Sequence, residues 1–109
     1  MKTIHVFIVD DHPLMRNALE MAIEAAFDMQ IAGEAANGKE ALRLIPLVET
    51  DVVLMDLMMP EMSGLETIRA LISVFPEIRI LVLSSVDKEA EILQAVQLGA
   101  LGYVTNNAQ

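Results

Sequence analysis

Cysteine and tryptophan are absent from this chain. Without thiols, disulfide staples and Cys-ligated zinc are excluded. Aromatic residues make up only 4% of the sequence, so a core must be built from aliphatic side chains and the eight methionines. Cations are scarce as well: seven Lys and Arg face sixteen Asp and Glu, a net charge of −9. Lys2, Arg16, Lys39, Arg43, Arg69, Arg79 and Lys88 are scattered rather than clustered. Such a segment repels phosphate backbones and anionic lipid surfaces, which argues against direct nucleic-acid or membrane binding. No apolar run reaches the roughly 20 residues that span a bilayer. Met1-Lys2-Thr3 leads directly into a β-like run and two acids, unlike a signal peptide. A cytoplasmic location is the expectation.

What is present is apolar and periodic. The 109 residues suit one domain, and 54% of them are hydrophobic, enough to offset ordering entropy by burial. Short β-rich runs alternate with segments of helical period. Ile4–Val9 ends at Asp10-Asp11, and Pro13 then suits the first turn of a helix whose inner face carries Leu19, Ala22, Ile23 and Ala26. Gln30–Ala35 is a second strand, Asn37-Gly38 a turn, and Ala41, Leu42 and Ile45 line a helix that Pro46 interrupts. Asn37-Gly38-Lys39 lacks the glycine and hydroxyl of a P-loop.

Val52-Val53-Leu54-Met55 is continuously apolar, the pattern of a parallel strand buried on both faces, and it stops at Asp56. Ser63 and Glu66 have capping-box spacing before a helix with Leu65, Ile68, Ile72 and Phe75 inward, closed by Pro76. Ile78–Leu83 is a fourth strand ending at Ser84-Ser85. Glu89–Leu98 is a fourth helix with Ile92, Leu93 and Val96 inward, stopped by Gly99, and Gly102-Tyr103-Val104 begins a fifth strand. This β-α alternation predicts a doubly wound α/β domain.

The first, third and fourth strands end on Asp10-Asp11, Asp56 and Ser84. In doubly wound sheets ligands sit beyond the carboxyl ends of strands, so these side chains should share one site. Gathered carboxylates repel one another, and a hard divalent cation relieves that repulsion; all-oxygen donors select Mg²⁺ or Mn²⁺. A carboxylate beside such an ion can attack phosphorus and form an acyl phosphate. Each acid alone reads as a cap or turn residue; only their joint placement favours chemistry. His12 reads as an exposed loop residue rather than a ligand, His5 as structural, and Met55, Met58, Met59 and Met62 as packing and loop filler.

Ile8-Val9-Asp10-Asp11-His12-Pro13-Leu14, Val53–Pro60 with Gly64, Leu83-Ser84-Ser85 and Gly99–Tyr103 together resemble the receiver domain of two-component response regulators. The Asp-Asp-His-Pro run is similar to the LuxR-type (NarL/FixJ) subfamily, and the resemblance covers Lys2 to about Asn106. It implies a flavodoxin-like (βα)5 fold with a five-stranded parallel sheet, spanning residues 1–109, its fifth helix absent from this chain and apolar surface exposed in consequence. It also implies Asp56 as the phosphoacceptor of a histidine kinase. Asp11, Asp56 and the Met58 backbone carbonyl would hold Mg²⁺ (or Mn²⁺), Asp10 would reach it through water, and Ser84 and Tyr103 would form the switch.

As partners the resemblance implies a sensor histidine kinase and a homodimer, with DNA met only through a C-terminal helix-turn-helix outside this segment. No enzymatic turnover beyond self-phosphorylation and slow self-dephosphorylation is expected. One position departs from the family: Asn106 stands where a Lys normally pairs with the acceptor. That departure favours an alternative, a pseudo-receiver that acts as an interaction module without productive phosphorylation. An aspartyl phosphatase ranks last, because Met58 occupies the position its second acid would need.

Overall fold

The computed structural model describes residues 2–59, 62–84 and 89–105, with the side chains at 84 and 105 left aside. Five strands form one parallel sheet: β1 (Ile4–Val9), β2 (Met29–Ala35), β3 (Val52–Asp56), β4 (Arg79–Ser84) and β5 (Gly102–Thr105). Helices α1 (Pro13–Ala25), α2 (Gly38–Leu44), α3 (Gly64–Val74) and α4 (Glu89–Leu98) join them, with a 3-10 turn at Ile45–Leu47 where Pro46 prevents α2 from continuing. The strand order is β2-β1-β3-β4-β5. The chain therefore moves outward from β1 to β2, then back across it to β3, and the reversal opens a crevice beyond the carboxyl ends of β1 and β3.

Local chemistry explains the boundaries. Pro13 sits at the start of α1, where its missing N–H matters least. The Asn37 side chain caps α2 by accepting from Glu40 N–H at 2.9 Å. Ser63 and Glu66 form the expected capping box at α3. Gly99 ends α4 at φ +127°, a backbone conformation that side chains resist.

The core divides on the two sheet faces. Phe7, Val9, Val53, Met55, Ile80 and Val82 face α2, α3 and α4 and pack with Ala41, Ile68, Leu71 and Ala95. Val6, Ile8 and Ile23 form a smaller cluster on the α1 side, with Leu19 and Leu54 against it.

This division corrects three sequence expectations. β3 is fully buried on one face only: Val53 and Met55 are inaccessible, while Val52 and Leu54 are half-buried because α1 lies over β1 and β2. Ala22 is exposed, since α1 meets the sheet through Leu19 and Ile23 and the next residue round the helix turns away. In α4 the inward residues are Ile92 and Ala95, with Leu98 partly buried, whereas Leu93 and Val96 are exposed. The buried face of α4 is therefore the one that carries small Ala95. In α3, Leu71 and Thr67 add fully buried positions to the face expected around Ile68.

Candidate functional site

Asp10 and Asp11 follow β1, and Asp56 is the last residue of the adjacent strand β3. The crossover arrangement thus brings together carboxylates more than 40 positions apart in sequence. One ligand atom from each of Asp10, Asp11, His12 and Asp56 lies within 4.8 Å of the others. Asp10 is buried, and its backbone is held from two sides: its N–H donates to the Ala35 carbonyl at 3.1 Å, and Arg16 Nη1 donates to its carbonyl at 2.6 Å. Arg16 Nε also stands 3.5 Å from Glu34 Oε1, which ties α1 to β2 beside the site.

The third acid is set by close packing. Gly64 N–H donates to the Leu57 carbonyl at 3.0 Å, drawing the start of α3 against the end of β3. A methyl group at Gly64 would come within 2.6 Å of the Asp56 carbonyl oxygen and 2.5 Å of Leu57 Cα, so glycine is required here for space. Asp56 Oδ1 accepts from Met58 N–H at 3.1 Å. Burial, the largest cause, pushes the Asp56 carboxyl from 3.8 up to about 6, and the charges of Asp10 and Asp11 push the same way. The Met58 N–H and His12 oppose that rise without cancelling it.

His12 is largely exposed, as expected, yet its Nδ1 hangs over the acids: 3.0 Å from Asp10 Oδ1, 3.0 Å from Asp11 Oδ1 and 3.7 Å from Asp56 Oδ2. The hydrogen bond to Asp10 and the charge of Asp11 raise its pKa. Asp11 Oδ1 is buried with no hydrogen-bond partner among the described residues. An orphaned carboxylate oxygen among two further acids is what a cation site presents, and the donors are those a hard divalent ion takes. The Asp10, Asp11 and Asp56 set fits Mg²⁺ on this ground, with the backbone of Met58 at its margin.

The other anticipated residues are placed unevenly. Ser84 ends β4, one position beyond Leu83, the register partner of Asp56, and its side chain lies outside the described residues. Tyr103 lies in β5 opposite Val82 and is 54% exposed. Asn106 and Lys88 fall outside the described residues. His5 is structural, as read: its N–H donates to Asp51 Oδ2 at 2.8 Å, and its ring nitrogen lies 3.1 Å from the same oxygen. The roles of Arg16 and His12 were missed. Arg16 carried a usable signal, six residues after Asp10 and so one helical turn beyond the strand end.

Comparison with known proteins decides the family. The model of the response regulator receiver domain matches residues 6–109. This chain is a response regulator receiver domain. Among the receiver's curated relatives is an uncharacterized transcriptional regulatory protein of Bacillus subtilis, YhcZ, 42% identical over 90% of this chain and 46% of that protein. Another is a protein-glutamate methylesterase/protein-glutamine glutaminase of Treponema denticola, 39% identical over 96% of this chain and 29% of that protein. The structure of a LuxR-family two-component response regulator from Aurantimonas superposes with a TM-score of 0.91 at 34% identity, over 99% of this chain and 77% of that one. The chain spans about half the length of YhcZ and under a third of the Treponema methylesterase, and its relatives carry outputs of more than one kind. Transcription regulators of the NarL and LuxR type predominate among them.

Proposed function

We propose that this receiver is a phosphorylation-controlled switch, with Asp56 as the acceptor of a phosphoryl group from a histidine kinase. The observation that carries the reading is the position of Asp56: the last residue of β3, in the topological crevice, beside Asp10 and Asp11. An Asp56 oxygen attacks phosphorus, the bond from phosphorus to the donor nitrogen breaks, and that nitrogen is protonated as it leaves. Asp10, Asp11, Asp56 and the Met58 carbonyl would hold Mg²⁺, which supplies charge neutralisation for the phosphoryl oxygens. The Met58 N–H, already bonded to Asp56 Oδ1, orients the carboxylate.

The output follows from what surrounds the site. Ser84, one position beyond the register partner of Asp56, would meet a phosphoryl oxygen, and Tyr103 would change packing in response. Leu93, Val96, Leu101 and Tyr103 are exposed apolar residues on α4, its following turn and the same side of β5. This face would bind a partner, a second copy included, in one of two packings biased by the new charge. The output is transcription control in the cytoplasm, exerted on DNA through another part of the protein, and this domain turns over nothing except its own phosphate.

One observation favours a second reading. Asn106 replaces the cation that would pair with the acceptor, which suits a pseudo-receiver that signals by contact alone. Hydroxylamine separates the two, because it cleaves an acyl phosphate and leaves a hydroxamate. After incubation with phosphorylated kinase, a hydroxamate mapped to Asp56 supports the switch; an unmodified Asp56 supports the pseudo-receiver.

A further inference from the structure

We propose that His12 is a further protein ligand of the divalent ion held at this site, and that its imidazole makes the site favour a first-row transition ion such as Mn²⁺ or Co²⁺ over Mg²⁺. The inference rests on the reading of Asp10, Asp11 and Asp56 as an ion site. It adds a ligand and a preference that three carboxylates alone do not supply.

The geometry is that of a ligand set. Donor atoms about 2.1 Å from one six-coordinate ion stand roughly 3 Å apart. His12 Nδ1 lies 3.0 Å from both Asp10 Oδ1 and Asp11 Oδ1. The backbone that carries the imidazole is fixed: His12 N–H donates to Asp10 Oδ1 at 2.8 Å, and Pro13 follows at the start of α1.

Hydrogen bonding alone leaves the cluster incomplete. Nδ1 has at most one hydrogen, enough for one carboxylate, and the nitrogen lies 3.0 Å from Asp10 Oδ1. Asp11 Oδ1, equally near, receives no hydrogen bond from the described residues and is buried. An ion between the imidazole and the carboxylates satisfies Asp11 and uses the nitrogen lone pair. Nitrogen donors strengthen binding along the first-row transition series, whereas Mg²⁺ prefers oxygen.

Calorimetric titration of Mg²⁺, Mn²⁺ and Co²⁺ into the wild type, His12→Ala and Asp11→Ala tests this. Each titration is repeated in a His5→Gln background, because His5, Glu49 and Asp51 also place donor atoms within 4.8 Å of one another at the other end of the sheet. His12→Ala should weaken Mn²⁺ and Co²⁺ roughly tenfold or more while leaving Mg²⁺ nearly unchanged. Pulsed electron paramagnetic resonance of bound Mn²⁺ should show nitrogen modulation that this substitution removes. Asp11→Ala should weaken every ion. Persistent nitrogen modulation in His12→Ala, an unchanged ion preference, or tighter binding of all ions overturns the proposal, the last meaning that the ring acts as a competing cation. Mg²⁺ binding that depends on Asp11 would still leave the underlying ion site standing in those cases. If no ion binds the wild type, the ion-site reading fails and takes this one with it.

Discussion

Asp56→Asn should stabilise the metal-free domain at neutral pH, and the gain should disappear in acid. The folded carboxyl titrates near 6 against an ordinary value of 3.8, chiefly because it is buried. Its side chain is only 14% exposed, so solvent screening is limited. A carboxyl whose folded pKa is raised favours folding while protonated, below about pH 4, and that contribution is lost as pH rises through 6. Above pH 7 the charged form therefore opposes folding by about 3 kcal/mol, from 1.36 kcal/mol for each pH unit between the two values. Asn has nearly the same shape and no charge, so it removes the penalty. For a domain of this size the gain corresponds to roughly 10 °C or more in melting temperature. Thermal or urea unfolding in a chelator, at half-unit steps from pH 4.5 to 8, measures it. The difference between Asp56→Asn and wild type should grow steadily up to about pH 7 and then level off. A difference that is flat with pH, or one favouring the wild type at pH 8, would refute the argument that burial and the neighbouring acids raise this pKa.

Other outcomes follow from the same geometry. Mg²⁺ should raise the melting temperature of the wild type but not of Asp11→Ala, since an ion that binds only the folded state stabilises it; equal stabilisation of both would reject Asp11 as a ligand. Gly64→Ala should destabilise the domain by about 1–3 kcal/mol through the clash with the end of β3, and urea unfolding that shows no loss would mean that α3 does not pack so closely. Asn106→Lys should enlarge the phosphorylation-induced change at Tyr103, read by tyrosine fluorescence. A charge-assisted contact is worth roughly 1.5–3 kcal/mol, about tenfold or more in a two-state equilibrium. An unaltered signal would mean that Asn106 is no handicap.

The elements were readable because their punctuation is strong. β1 begins and ends where its apolar run does, and Pro13, Asn37, Ser63 and Gly99 mark helix ends through identifiable chemistry. The acid site was readable for a topological reason: once β1 and β3 are strands of one doubly wound sheet, their carboxyl ends must converge. Rotation and coverage were harder to read. In α4 periodicity favoured the larger side chains of Leu93 and Val96, whereas the face with Ile92 and small Ala95 is the one buried. Leu54 looked doubly buried because a run of apolar letters does not reveal which helices lie over each face. His12 was read by its exposure, which is real, whereas its importance lies in one nitrogen over three carboxylates. That placement depends on the backbone bend between β1 and α1.

The most direct test of the central claim is the intact mass of the protein after incubation with Mg²⁺ and a small-molecule phosphodonor such as acetyl phosphate. The wild type should gain the mass of one phosphoryl group, the gain should require Mg²⁺, and Asp56→Ala should not show it. A wild type that stays unmodified, or an Asp56→Ala variant that still gains the group, would contradict the assignment of Asp56 as the acceptor.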